Sequence, residues 1–77
     1  MITPEQIKNC IQGNLPCERV EVQGDGQHFE AVIVSTAFRQ KNRVQRHQIV
    51  YRALGDRMRG EIHALSMKTL TPEEWTS

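Results

Sequence analysis

"RVEVQGDGQHFEAVIV", residues 19–34, is the stretch that decides the fold. Arg19-Val20-Glu21-Val22 alternates charged and apolar residues, the two-residue period of a strand with one buried face. Gly24-Asp25-Gly26 supplies residues able to take positive φ and reads as a tight hairpin turn. The chain then returns as a strand from His28 to Val34. Phe29, Ala31 and Ile33 share one face of it, and Val32 and Val34 lie on the other. A strand apolar on both faces near its end is expected at the centre of a sheet or under helices. His28 is the odd residue, a polar ring placed where the turn hands over to the strand.

Towards the N-terminus, Thr3-Pro4-Glu5-Gln6 has the form of a helix start. Thr3 caps, Pro4 suits the first helical position, and Gln6 completes a capping box. Ile7, Cys10, Ile11 and Leu15 recur at helical spacing, Gly13 weakens the last turn, and Pro16 ends it. After the hairpin, Ser35-Thr36-Ala37-Phe38 reads as a short helical turn and residues 39–43 as a polar loop. A longer helix is expected from about Val44 to the stop signal Gly60, with His47, Val50, Tyr51, Leu54 and Met58 on one side. Ile62 to Leu70 reads as a third strand. Thr71-Pro72-Glu73-Glu74 repeats the capping-box pattern and opens a last short helix. Phe38 and Trp75 are expected as core or docking residues. The expectation is one α+β domain over residues 1–77, with helices packed on one face of a three-stranded mixed sheet.

Size and charge narrow the function. A chain of 77 residues hides only about 60% of the surface its unfolded form exposes, so a deep substrate cavity is not expected. A net charge of +1 creates no strong field for nucleic acid or anionic lipid. No apolar run approaches the roughly 20 residues that span a bilayer. MITPEQIKNC lacks the basic-then-apolar layout of a secretory signal, so the expected compartment is the cytosol, with Cys10 and Cys17 as free thiols.

No Walker A loop, GxSxG or HExxH is present, and the chain is not expected to be an enzyme. Two candidate sites remain. If the third strand joins the hairpin in one sheet, His28 and His63 come to neighbouring positions at one edge. Two imidazoles are only half of the four donors that a zinc ion or iron–sulfur cluster ordinarily takes, so a metal there needs ligands from a partner or a small thiol. The other candidate is electrostatic: Arg39, Lys41, Arg43 and Arg46 form a basic loop and helix start of the kind that contacts phosphates. Few aromatics are interleaved, which gives single-strand stacking little support. His47 reads as a packing residue at the core margin.

Three segments carry more than their spacing. "VQGDGQHFEAVIVSTAF" (residues 22–38), "NRVQRHQIVYRAL" (42–54) and "EIHALSMKTLTPEEW" (61–75) together resemble the BolA family, most closely its short bacterial members of the IbaG type. The resemblance implies a BolA-like, class II KH-like fold in the order α-β-β-α-α-β-α. It also implies a heterodimer with a monothiol (CGFS) glutaredoxin and a shared [2Fe-2S] cluster. In such a pair the glutaredoxin gives a cysteine, glutathione a thiolate, and the BolA-like chain histidine. The family's C-terminal histidine matches His63, and its loop ligand matches His28 loosely. No cofactor is expected on the chain alone. An imidazole in place of a thiolate is expected to raise the cluster's potential and make it acid-sensitive. Arg46 and Lys68 are placed to orient such a partner by charge. The family also implies the alternative of a DNA-binding transcriptional regulator, with Arg39 to His47 as the contact surface. A homodimer stays open, and no membrane partner is expected.

Overall fold

A computed structural model describes residues 2–76 and, among these, the side chains of all but 57–59. The order is α1 (Pro4–Asn14), β1 (Arg19–Gly24), β2 (His28–Val34), a 3₁₀ turn (Thr36–Phe38), α2 (Arg43–Glu61), β3 (Ala64–Leu70) and α3 (Pro72–Thr76). The strands form one sheet in the order β1-β2-β3. β1 runs antiparallel to β2, and β3 runs parallel to it after the α2 crossover. The doubly apolar strand β2 is therefore the central one, as its composition required.

Burial follows the pleat. Phe29, Ala31 and Ile33 of β2 face the core, with Val20 and Val22 of β1 and Leu65 and Met67 of β3 beside them. Ile7 and Ile11 of α1 and Val50, Ala53 and Leu54 of α2 pack over that face, and Phe38 closes it at zero exposure. The other face carries Glu21, Gln23, Glu30 and Lys68 to solvent.

The helix starts are built by side chains. Thr3 Oγ1 accepts from the Gln6 amide at 3.2 Å while Gln6 Oε1 accepts from the Thr3 amide at 2.8 Å. The same reciprocal pair joins Thr71 and Glu74 ahead of α3. A third capping box, Asn42 with Gln45, starts α2 at Arg43, slightly earlier than the apolar stripe alone indicated.

Four expectations need correction. The long helix is broken at Gly55, where φ 79° and ψ 166° interrupt α2, and it runs past Gly60 to Glu61. That backbone conformation is open to glycine and strained for other residues, so the decisive glycine is Gly55. β3 begins at Ala64, two residues later than read, because Ile62 is the extended C-cap of α2 and packs against the core. In the hairpin turn only Gly26 takes positive φ, at 96°. Trp75 is 44% exposed and is no core residue; Arg19 stacks over its ring at 5.1 Å. Met58, expected on the α2 stripe, lies with Arg57 and Arg59 outside the residues whose side chains are described.

Candidate functional site

The hairpin turn fixes one histidine. Asp25 Oδ1 accepts from the backbone amides of Gln27 and His28, each at 2.9 Å. The Asp25 amide donates back to the His28 carbonyl at 3.2 Å. The hydrogen bond from the His28 amide, then that from Gln27, holds the Asp25 carboxyl below its ordinary range. Gly24 is required by space: a Cβ there would lie 2.3 Å from the His28 carbonyl oxygen and 2.6 Å from Phe29 Cδ1. The backbone of His28 is thus held from both sides.

The parallel register brings the backbone of the second histidine near it. His28 pairs with Ala64, and His63 occupies the bend just before Ala64. With strands about 4.8 Å apart and a rise of about 3.3 Å per residue, the two Cα atoms are about 6 Å apart. Both side chains are exposed. An open depression beside His28 is lined by Asp25, His28, Glu30, Ala64 and Ser66; His63 does not line it, because the position before Ala64 falls on the other side of the pleat. No group of three or more His, Cys, Asp or Glu able to hold a metal occurs among the described residues. The cysteines stand elsewhere. Cys10 directs its thiol to the Ala53 and Leu54 carbonyls at 3.6 and 3.4 Å, next to the helix break. Cys17 precedes the end of β1 that pairs with Val34, opposite the histidines, and burial pushes its thiol up.

The basic segment is divided by the fold. Arg39 forms a forked pair with Glu73. Arg46 donates to the Lys41 carbonyl at 2.9 Å, the Thr69 carbonyl at 3.0 Å and both oxygens of Glu74 at 2.7 and 3.3 Å. Its side chain is only 14% exposed. Two of the four expected contact residues therefore tie α3 to α2 and β3. Lys41 and Arg43 remain solvent-facing. His47, expected at the core margin, is half-buried and lines a groove with Lys41, Arg43 and Lys68. Nothing in the order of residues linked Lys68 to that loop; only the β3 crossover brings it there.

The family model described as BolA-like protein matches residues 10–74. The chain belongs to the BolA family. It is similar to the acid stress protein IbaG of Escherichia coli K12, at 37% identity over 91% of this chain and 84% of that one. It is also similar to the DNA-binding transcriptional regulator BolA of Haemophilus influenzae, at 45% identity over 69% of this chain, a stretch that spans about half (52%) of that relative. The solved structure of a BolA homologue from Coxiella burnetii superposes with a TM-score of 0.88 at 45% identity, covering 100% of both chains. Those relatives are named as a regulator and a stress protein. No helix among the described residues is long and apolar enough to cross a membrane.

In this BolA fold the α3 clasp has a defined acid limit. The hydrogen bond from Arg46, then that from the Thr71 amide, lowers the Glu74 carboxyl from its ordinary 4.5 to about 2. A lowered folded-state value means that the stabilisation is complete above pH 4.5 and is lost as pH falls towards 2. Fluorescence of Trp75, the single tryptophan, reports the docking of α3. It is expected to stay flat down to the ordinary carboxylate range and to change below it, with Glu74→Gln removing that acid dependence. A midpoint above 4.5 would assign the clasp's acid limit to another group.

Proposed function

We propose that the chain is a non-catalytic adaptor that lends histidine to a [2Fe-2S] cluster held mainly by a monothiol glutaredoxin and glutathione. One observation supports this reading: the β2–β3 register brings the backbones of His28 and His63 to the same end of the sheet, both residues exposed, and no group of three or more donors able to hold a metal occurs among the described residues. Two imidazoles fit a shared cluster and are too few for a resident one. His63 is the principal donor and His28 the accessory one. When bound, the cluster supplies redox and transfer chemistry. The chain's part is to present the rings, and the Asp25 turn fixes the backbone of His28 for this.

The test is a visible absorption and circular dichroism titration. The chain is added to glutathione-loaded, cluster-bearing monothiol glutaredoxin, as wild type, His63→Ala and His28→Ala. A new spectrum with wild type, lost in His63→Ala and weakened in His28→Ala, is expected. An unaltered spectrum with wild type would remove the reading.

The rival reading, a DNA-binding regulator, draws on the name of the Haemophilus relative. It must work without Arg39 and Arg46, whose guanidinium groups are paired, and it predicts an affinity that falls steeply with salt.

A further inference from the structure

The groove between the first turn of α2 and the end of β3 has a volume of about 580 Å³. Lys41, Arg43 and Lys68 line it, and none of their side chains makes a hydrogen bond or ion pair among the described residues. The one carboxylate in the lining, Glu74, already accepts from Arg46 and from the Thr71 amide. Three like charges therefore share one concave surface without an acid set against them. Their mutual repulsion is relieved when an anion enters.

The groove is also one end of a longer feature. Met67 and Lys68 belong both to it and to a shallow depression on the open sheet face. That depression shares Gln23, Glu30 and Ser66 with the one beside His28. A trough of three successive depressions thus follows β3 from the histidine end to the cations, with the carboxylates of Asp25 and Glu30 in its histidine half. From Ala64 to Lys68 it extends about 13 Å, at about 3.3 Å per residue. Val44, 66% exposed, stands next to Arg43.

We propose that this groove docks an acidic segment, rich in Asp and Glu, of a protein partner. The groove's preference for carboxylates does not depend on the adaptor reading. Three observations favour a carboxylate-bearing protein over a nucleic acid. Two of the three guanidinium groups of this basic segment, Arg39 and Arg46, are already engaged, and by carboxylates, which leaves Arg43 as the one open fork among the described residues there. His47 is the one aromatic ring in the groove lining and none lines the depression between it and Ser66, so successive bases find no run of stacking platforms there. An exposed valine beside the cations suits a peptide side chain better than a sugar–phosphate backbone.

The experiment uses nitrogen-15-labelled protein in low salt. A short glutamate-rich peptide and a single-stranded oligonucleotide of equal charge serve as probes. The peptide is expected to shift the amides of Lys41, Arg43, Met67, Lys68 and Thr69. Its affinity should fall about tenfold in Lys41→Gln/Arg43→Gln/Lys68→Gln, as three exposed ion pairs sum to. The control Lys8→Gln/Arg52→Gln, outside the trough, should bind like wild type. All three groove side chains are exposed, so the variant is expected to keep wild-type amide dispersion. His63→Ala should leave peptide binding unchanged, which separates this proposal from the shared cluster. The proposal is overturned if the peptide leaves those amides unmoved, if the triple variant binds it like wild type, or if the oligonucleotide binds the groove more tightly than the peptide.

Discussion

Gly24→Ala is expected to destabilise the domain by about 2–3 kcal/mol, an overpacking cost with no soft neighbour to absorb it. The added Cβ would meet the His28 carbonyl oxygen at 2.3 Å and Phe29 Cα at 2.9 Å, both backbone atoms in the middle strand. Phe29 cannot retreat, because it is 1% exposed and belongs to the core. The His28 carbonyl cannot retreat without losing the hydrogen bond from the Asp25 amide. A domain of this size has a total stability of roughly 4–12 kcal/mol, so the loss is a large fraction, and Tm should drop by roughly 10–20 °C. Gly13→Ala is the control: nothing lies within 4 Å of its Cβ position, and it sits in α1, so it should stabilise by up to about 1 kcal/mol. Thermal unfolding followed by circular dichroism measures both. An unchanged Tm for Gly24→Ala would show that the hairpin end yields, and would withdraw the claim that close packing fixes the backbone of His28.

The same hairpin shows what a sequence discloses. Local signals were legible wherever a residue's own chemistry sets the backbone: the Thr3–Gln6 and Thr71–Glu74 boxes, the alternation of β1, the two-faced apolarity that made β2 central. The Asn42–Gln45 box was there to be read too, but the basic run around it reads first as a charged loop. Gly55 was harder. A glycine inside an amphipathic stripe is usually tolerated within the helix, and only the need to turn the chain towards β3 makes it a break. Most of what was hidden is pairing at a distance. Arg39 and Arg46 lie in a loop and helix start that look solvent-facing until α3 returns across them with Glu73 and Glu74. Lys68 joins Lys41 and Arg43 through the parallel crossover, which no local pattern encodes. The backbone proximity of His28 and His63 was legible only on condition that the third strand entered the same sheet, which it does; the one-residue offset that turns His63 to the other side of the pleat was not legible.

Arg46→Ala is expected to cost about 2–3 kcal/mol, the range for hydrogen bonds from a charged donor, here a guanidinium only 14% exposed. The guanidinium holds three separate pieces of chain: the loop at the Lys41 carbonyl, the end of β3 at the Thr69 carbonyl, and α3 at Glu74. It also lies 6.0 Å from the centre of the Phe38 ring. Arg46→Lys keeps the charge but not the planar fork, so it should recover only part of the loss. Arg39→Ala should leave Tm close to wild type, because the Arg39–Glu73 pair is more than half exposed at both ends. The contrast separates a structural arginine from a ligand-contacting one. If Arg46 bound a phosphate, its removal would lower the slope of log affinity against log salt by about 0.9. If it serves the clasp, any loss of oligonucleotide affinity should follow the lost stability and disappear at temperatures well below the variant's Tm, with the slope unchanged. A reduced slope in a fully folded variant would return Arg46 to the contact surface and revive the nucleic-acid reading that its three internal partners argue against.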